Sequence, residues 1–238
     1  YCRIQIHIVK NDQRVIFDDV DLDTAVTEAI NGRIVHAGQA CCSSKRFIVQ
    51  ENIYDEFAGR LAERLKGMKI GDPLDQGSRI GPLIDERAAQ RVEEIVDRTV
   101  KAGAYCLCGG RRFDGNFFEP TVLTGVTPAM DIAQNLEVFG PVFPLIKFKT
   151  EEQAVAIADN CTYGLSSGVI SGEIQRAIRV ARQLDAGNCT INGTGLYRTH
   201  DMPFGGHRKS GLGTEGLYAT LDEFTKTKTY VWKGAAIR

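Results

Sequence analysis

Apolar residues recur every three or four positions along several stretches of the chain, a spacing that gives a helix one buried face. The first stretch follows Asp21, which can cap a helix, and runs to Gly38, a residue type that commonly ends one. Further helices are predicted after Asn52, Asp85 and Thr150, and across residues 173–184. The helical pattern therefore covers segments spread along most of the chain.

Short runs of β-branched and aromatic residues separate these helices and predict strands. The predicted strands are residues 46–49, 105–107, 121–123, 142–148, 166–170 and 189–192. Strands that alternate with helices are typical of crossover units, so we predict an α/β fold with a mostly parallel sheet flanked by helices. In such sheets ligands usually bind at the carboxyl ends of the strands. Residues 193–216 are glycine-rich and lack either periodicity, which predicts a long loop with a functional role.

The composition is that of an ordinary globular protein, with 43% apolar and 25% charged residues among 238. This length suits one domain, or one domain with a smaller appendage. The net charge of −1 provides no attraction for nucleic acid or anionic lipid, and no apolar stretch reaches the roughly 18 residues of a membrane span. Seven cysteines without the spacing of a disulfide framework indicate a reducing compartment. We therefore expect a cytoplasmic protein with small-molecule or protein partners.

Two adjacent cysteines, Cys41 and Cys42, follow the first predicted helix. A thiol in such a loop can act as a nucleophile when nearby hydrogen-bond donors lower its pKa. A small buried cysteine is the more common case, and Cys42 fits that interpretation. Spacing alone therefore leaves Cys41 open between a nucleophile and a packing residue.

Two other patterns carry less chemical meaning. Gly211, Gly213 and Gly216 form a G-x-G-x-x-G pattern, but it follows a loop rather than a strand, and the residues after it are too few for a dinucleotide-binding crossover unit. Cys106 and Cys108 are one residue apart, which is a poor spacing for a tetrahedral metal site. We therefore interpret the glycine pattern as coincidental and expect no metal site.

Three motifs occur in this order along the chain: G-Q-x-C at 38–41, E-x-F-G-P at 137–141, and P-F-G-G at 203–206 with S-G-x-G at 210–213. Together they resemble the catalytic half of the aldehyde dehydrogenase superfamily, and residues 17–23 match the segment that leads into the catalytic helix. The resemblance covers roughly residues 15–230, nearly the whole chain, so chance agreement is remote.

The resemblance implies that the thiolate of Cys41 attacks an aldehyde and that the thiohemiacetal passes a hydride to NAD or NADP. The resulting thioester is then hydrolysed to a carboxylic acid. The backbone N–H of Cys41 would contribute to an oxyanion hole. Glu137 would hold the nicotinamide ribose of the cofactor, with Phe139 beside it. The implied substrate pocket comprises Gln39, Ala40, Cys42 and Phe204.

The chain departs from the family pattern upstream of the cysteine. The general-base glutamate of the family, in an E-L-G-G motif, aligns with His7, and the glycine pair aligns with Val9 and Lys10. His7 could serve as the base because its unperturbed pKa of about 6.5 suits proton transfer, but a packed or exposed strand histidine is the alternative. The dinucleotide-binding half of the family, with its phosphate-binding lysine and oxyanion asparagine, precedes this point. We therefore expect little dehydrogenase turnover from this chain alone.

The resemblance divides the chain into a catalytic domain, residues 1–216, and a tail, residues 217–238. Residues 1–14 are a divergent, strand-like start of that domain. Residues 225–232 resemble the strand by which family members join a neighbouring subunit, so we expect a homo-oligomer. Two other functions remain open: a non-catalytic assembly module with the same fold, and a cofactor-independent thiol esterase.

Overall fold

The computed structural model describes residues 6–7 and 12–234, with side chains from residue 12 onward. The helices of this part of the chain are α1 (Leu22–Ile34), α2 (Glu51–Lys66), α3 (Glu86–Lys101), α4 (Glu151–Asp159), α5 (Ile174–Ala181) and α6 (Leu217–Phe224). Its strands are β1 (Ile6–His7), β2 (Gln13–Ile16), β3 (Arg46–Gln50), β4 (Tyr105–Cys108), β5 (Arg112–Phe113), β6 (Phe117–Phe118), β7 (Thr121–Val126), β8 (Val142–Phe148), β9 (Tyr163–Gly164), β10 (Ser166–Ile170), β11 (Asn188–Ile191), β12 (His207–Arg208) and β13 (Gly211–Leu212).

The central sheet of the described residues has seven strands in the order β11, β10, β2, β3, β8, β7, β4. Neighbouring strands are parallel except at one edge, where β4 pairs with β7 in antiparallel orientation. Helices α2 and α4 both pack against β3 and β8, while α5 packs against β10 and β11. The predicted α/β fold, a mostly parallel sheet flanked by helices, is therefore confirmed.

Strand β2 is absent from the sequence prediction because it begins with the polar residues Gln13 and Arg14. Both side chains are nevertheless buried, together with Arg46 of β3. The Arg46 guanidinium donates to three backbone carbonyl oxygens and to Gln13 Oε1 at 2.8–3.1 Å. A charge can be buried where hydrogen bonds replace its hydration, so hydropathy alone does not reveal this strand.

Capping side chains begin the helices α1 and α3 at the predicted positions. Asp21 Oδ1 accepts a hydrogen bond from Thr24 N at 2.8 Å, and Asp85 Oδ1 accepts one from Ala88 N at 2.7 Å. Each bond satisfies a backbone N–H that has no partner within its helix. Local sequence therefore determines where these helices start.

The chain between α1 and Cys41 turns more tightly than predicted. Helix α1 ends at Ile34, and a 3-10 turn spans Val35–Gly38. Within it, His36, Ala37 and Gly38 have φ values of 50°, 54° and 78°. Such left-handed conformations strain residues other than glycine, so the surrounding packing must hold the turn in place.

The long loop predicted for residues 193–216 contains two short strands. Strand β12 pairs with β9, and β13 pairs with β1, both in antiparallel orientation. Phe204 N also donates to Glu215 O at 2.7 Å, and Glu215 N donates back to Phe204 O at 2.8 Å. Strands of two residues have no periodicity of their own, which is why the sequence predicts only a loop here.

The C-terminal part differs from the prediction as well. Residues 217–224 form α6, in a segment that is predicted only as a tail. Residues 225–234 have no strand pairing in this single chain, so the predicted oligomerisation strand at 225–232 stays a prediction. Tyr230, Val231 and Trp232 are 82–86% exposed. Among the residues that the structure describes, every helix is too short or too polar to traverse a lipid bilayer.

Candidate active site

Cys41 lies in a turn between the 3-10 turn that follows α1 and the start of β3, and its side chain is half-buried. Lys45 N and Arg46 N both donate to Asp12 O, at 2.8 and 3.2 Å, which ties the cysteine loop to the residue before β2. Glu137 similarly precedes β8. The site therefore lies at the amino ends of these parallel strands, and the expectation that it would lie at their carboxyl ends is wrong.

A close contact between two glycines joins the first two sequence motifs. A Cβ atom built on Gly38 would lie 2.2 Å from the carbonyl oxygen of Gly140, and Gly38 also has a positive φ of 78°. A Cβ on Gly140 would in turn lie 2.8 Å from a methyl carbon of Val92. Only glycine fits both positions, so the glycines of the two motifs have a packing role.

A buried arginine crosses the same junction. Arg33 of α1 donates to Val138 O and Val142 O, both at 2.8 Å, and to Ser43 Oγ at 3.1 Å. Burial lowers the pKa of Arg33 to about 9, and the carboxylate of Glu137 opposes that effect. One guanidinium thus fixes the cysteine loop and the segment around Glu137 to the same helix.

Lys45 links Cys41 to Glu137 directly. Its ammonium donates to the carbonyl oxygens of Cys41, Ala40 and Ser43 at 2.8, 3.1 and 3.1 Å. The same nitrogen lies 3.4 Å from Glu137 Oε1 and 5.2 Å from the centre of the Phe139 ring. The structure therefore brings Cys41, Glu137 and Phe139 together around one buried cation that the sequence analysis did not identify.

The thiol of Cys41 is unusually acidic. A hydrogen bond from the Cys42 side chain lowers the pKa of Cys41 to about 6, assisted by the backbone N–H groups of both cysteines and by the positive charge of Lys45. The bond to Cys41 is also the main reason why the pKa of Cys42 is raised. The pair is therefore arranged so that the thiolate form of Cys41 is favoured while Cys42 keeps its proton and donates to it.

A buried carboxyl group lies near these residues. Asp12 is 2% exposed, and Ser166 N donates to its Oδ1 at 3.0 Å. Burial raises the pKa of Asp12 to about 7, although the positive charge of Lys45 opposes the shift. Burial also lowers the pKa of Lys45. The site therefore contains several charged groups whose ionisation depends on one another.

Glu137 and Phe139 line a cleft of about 880 Å³ whose opposite wall is the face of α3 that carries Arg87, Arg91 and Arg98. The side chain of Glu137 is 12% exposed, and Phe139 is 38% exposed. A carboxylate can accept hydrogen bonds from ribose hydroxyls, and an exposed ring can pack against a planar heterocycle. The assignment of Glu137 and Phe139 to the nicotinamide end of a dinucleotide stays a prediction.

Three of the predicted pocket residues, Gln39, Ala40 and Cys42, are neighbours of Cys41 in the sequence. Of these, Gln39 has a structural role. Its Nε2 donates to His36 O at 2.8 Å and to Pro82 O at 3.3 Å, and its Oε1 accepts from Ile84 N at 2.9 Å. These bonds hold the cysteine loop against residues 82–84. The assignment of Gln39, Ala40 and Cys42 to a substrate pocket stays a prediction.

Phe204 lies in the third motif, in the loop after β11. It is 5% exposed, and the Arg198 guanidinium carbon lies 4.2 Å from the centre of its ring. The same loop reaches the cysteine loop at Gly195, where an added Cβ would lie 2.8 Å from Cys42 O. The loop that leads to the third motif therefore contacts the cysteine loop, while the contact of Phe204 with a substrate stays a prediction.

His7 pairs through its backbone with Gly211 in the β1–β13 ladder. Its side chain lies outside the described part of the structure, as do Val9 and Lys10, so its role as a base stays a prediction. Cys106 is exposed and Cys108 half-buried on β4, and burial raises the pKa of both thiols. Within residues 12–234 no three His, Cys, Asp or Glu side chains are grouped as metal ligands.

Curated relatives match most of this chain, and the match covers about half of their own length. A glutarate-semialdehyde dehydrogenase of Pseudomonas putida is 38% identical over 226 residues, which are 95% of this chain and 47% of that protein. A succinate-semialdehyde dehydrogenase (NADP+) of Escherichia coli is also 38% identical, over 95% of this chain and 47% of its own. The chain thus spans about half the length of the curated relatives it matches.

Solved structures and a family model agree with these matches. An NAD-dependent aldehyde dehydrogenase from Sinorhizobium meliloti superposes with a TM-score of 0.90 at 37% identity, covering 94% of this chain and 45% of that one. A glyceraldehyde-3-phosphate dehydrogenase from Methanocaldococcus jannaschii, solved with NADP, gives 0.87 at 34% identity, covering 93% and 48%. The model of the aldehyde dehydrogenase family matches residues 3–230. Because the family model covers nearly the whole chain and solved family members share its fold, the chain belongs to the aldehyde dehydrogenase family.

Proposed function

We propose that this chain forms the cysteine-bearing half of an NAD(P)-dependent enzyme that oxidises a small aldehyde to a carboxylic acid. The observation that carries the proposal is the state of Cys41, a half-buried thiol whose pKa is lowered to about 6. A thiolate is the nucleophilic form of cysteine, and structural cysteines in apolar surroundings have raised pKa values instead. Family membership supports the same chemistry.

In the proposed reaction the Cys41 sulfur forms a bond to the aldehyde carbon, and the carbonyl oxygen gains negative charge. The backbone N–H of Cys41 supplies one donor to that oxygen, and one such donor is typically worth about 2.7–4 kcal/mol in the transition state. A nicotinamide cofactor held by Glu137 and Phe139 would supply the hydride acceptor for this carbon. Water then cleaves the thioester, releasing the acid and the thiolate, with His7 as the proposed base.

Glu137 and Phe139 would hold the cofactor in this arrangement. The carboxylate is already positioned beside the cysteine loop by the ammonium of Lys45, at 3.4 Å. Orientation of a bound reactant before the chemical step is a large part of enzymatic rate enhancement. We propose NAD or NADP as the acceptor, since named relatives of both kinds match this chain.

We propose that Gln39, Ala40, Cys42 and Phe204 border the aldehyde, and that the 238-residue chain on its own turns over little or no substrate. The matched relatives are about twice as long, and their remaining half is outside the alignment. Hydride transfer requires the reacting atoms to be held about 3–3.5 Å apart, which a partial cofactor site does not achieve. Robust NADH production by the isolated chain would contradict this part of the proposal.

The first half-reaction can be tested without turnover. The chain is incubated with succinate semialdehyde or butanal, then treated briefly with iodoacetamide at pH 7, and alkylation of each cysteine is quantified by peptide mass spectrometry. Reversible addition of Cys41 to the aldehyde should slow its alkylation, while alkylation of Cys106, an exposed thiol, should be unchanged. Equal alkylation of Cys41 with and without any aldehyde would argue against the proposal.

The same thiolate supports a second candidate, hydrolysis of activated esters without a cofactor. The low pKa of Cys41 favours it, because acyl transfer to a thiolate needs no hydride acceptor. The rate of p-nitrophenyl acetate hydrolysis by the parent should exceed that of Cys41→Ser at least tenfold, as expected when the nucleophile is lost. Equal rates would eliminate the esterase.

We also propose that the enzyme is a homo-oligomer assembled through its C-terminal part. Helix α6 has no buried residue in the single chain, and its apolar side chains Leu217, Leu221 and Phe224 are 53–80% exposed. Exposed apolar patches commonly mark protein interfaces. Light scattering coupled to size-exclusion chromatography should give a mass at least twice that of the monomer, and a stable monomer at micromolar concentration would count against this.

A further inference from the structure

The ammonium of Lys45 is buried near the thiol. Its side chain is 1% exposed, although lysine is among the residues least often found in protein interiors. Burial disfavours the charged form and lowers its pKa, while the charges of Asp12 and Glu137 oppose that shift. Lys45 and the ionisable groups around it therefore shift one another's pKa values.

The contacts of this ammonium are arranged in two groups. Three hydrogen bonds, of 2.8–3.1 Å, go to carbonyl oxygens of the cysteine loop, including that of Cys41 itself. On the other side, Glu137 Oε1 lies 3.4 Å away and the Phe139 ring centre 5.2 Å away. An ammonium has three donors, so three carbonyl oxygens and the carboxylate of Glu137 share them, and Glu137 interacts through both its charge and a hydrogen bond.

We infer that Lys45 is a positioning residue for the proposed reaction: its ammonium holds Cys41 in the ionised form and couples that ionisation to the state of Glu137. This inference rests on the proposed function of the thiol. The positive charge of Lys45 favours the thiolate, and the carboxylate of Glu137 raises the pKa of the same ammonium, so the two anions share one cation. A hydroxyl-bearing ligand that engages Glu137 therefore weakens its pull on Lys45 and favours the thiolate further.

The coupling depends on every charge that faces Lys45. Asp12 faces it from the start of β2, Arg33 from α1, and Glu137 from the segment before β8. The carboxylate oxygen Oε1 of Glu137 lies 3.4 Å from the ammonium. Because two acids and one further base interact with Lys45, a change in the charge of any of them alters the pKa of Lys45 and, through it, the ionisation of Cys41.

The test is the pH dependence of alkylation at Cys41 in the 238-residue chain. Second-order rates with iodoacetamide are measured from pH 4.5 to 9.5, and each cysteine is followed by peptide mass spectrometry. Lys45→Met retains the aliphatic stem but removes the charge, so the midpoint for Cys41 should move upward by about 1 unit or more. Lys149→Met removes the same charge from an exposed lysine paired with Glu51 and should leave the midpoint unchanged.

Glu137→Gln provides a change of opposite sign. It keeps the shape of the side chain and removes the competing negative charge, so the Cys41 midpoint should move downward by several tenths of a unit. Loss of packing alone would not move the midpoint in opposite directions in the two variants. Lys45→Arg, which keeps the charge, should lie closer to the parent than Lys45→Met.

Two results would overturn the inference: a Lys45→Met midpoint that superposes on that of the parent, or a Glu137→Gln midpoint that is unchanged or raised. Thermal unfolding of each variant shows whether it is folded, and if Lys45→Met is not, Glu137→Gln alone decides. An unreactive Cys41 in the parent would instead refute the proposed function. The two failures are therefore distinguishable.

Discussion

The backbone of Gly38 lies so close to Gly140 that a methyl group on Gly38 would be 2.2 Å from the Gly140 carbonyl oxygen. These glycines belong to motifs about one hundred residues apart, and their contact sets how near the thiol can come to Glu137. The two motifs can approach this closely because neither Gly38 nor Gly140 has a side chain.

Gly38→Ala should destabilise the chain by about 2 kcal/mol or more, because a side chain there meets both a positive φ and a backbone clash. Urea unfolding at pH 7.5 measures the change. The control is Gly59→Ala in α2, where an added Cβ has no atom within 4 Å and should stabilise the helix by about 0.5–1 kcal/mol. Equal effects of the two substitutions would refute the packing argument.

Arg33→Met should cost about 3 kcal/mol, because Val138 O and Val142 O would lose buried donors. The matched control is Arg98→Met, at a side chain that is 57% exposed and 3.8 Å from Asp131. Its effect should stay within about 0.5 kcal/mol. A loss of less than about 1 kcal/mol for Arg33→Met would show that the guanidinium does not hold the junction together.

Gln39→Ala should destabilise the chain by about 1–2 kcal/mol if its three hydrogen bonds secure the cysteine loop. Gln90→Ala on the exposed face of α3 is the control and should have little effect. If Gln39 acts only in the substrate pocket, its substitution should alter protection of Cys41 by aldehydes without changing the unfolding midpoint. That outcome would contradict the structural role.

Asp12 should make stability depend on pH. Its pKa is raised from 3.8 to about 7 by burial, so the unfolded chain loses this proton at lower pH than the native protein. Ionisation of the buried Asp12 therefore lowers the free energy of unfolding as the pH rises from 3.8 to about 7. Above that range the free energy of unfolding stays lowered by the full amount.

Asp12→Asn removes this titration. The unfolding free energy of the variant relative to the parent should rise by on the order of 2 kcal/mol between pH 5 and pH 7.5. Urea unfolding at several pH values measures the difference, with Asp55→Asn as the control at an exposed carboxylate. A flat or falling difference would contradict the raised pKa.

Features that depend on neighbouring residues in the chain could be predicted from the sequence. Asp21 and Asp85 cap the helices they were expected to cap, and the parallel sheet follows from the alternation of elements. The location of the site at the amino ends of the strands could not be predicted, because it depends on how loops from distant strands pack. The rule that ligands bind at the carboxyl ends of the strands applies to doubly wound sheets, whose strand order differs from the order found here.

The charged groups around Cys41 could not be predicted either, because their partners are distant in the sequence. Arg33 bonds to carbonyls 105 and 109 residues away, and the partner of Lys45, Glu137, belongs to another motif. In the sequence, Asp12, Arg33 and Lys45 are indistinguishable from exposed polar residues. Cys41 and Glu137 were recognised because family motifs contain them. Lys45, which contacts both residues, lies outside these motifs.

The exposed end of the chain also offers a direct optical reporter. Trp232 is the single tryptophan of the sequence, and it is 85% exposed in the isolated chain. Its emission therefore comes from one site, next to the segment expected to pair with a neighbouring subunit. A blue shift of that emission with rising protein concentration, together with weaker quenching by acrylamide, would reveal when water is displaced from this end of the molecule.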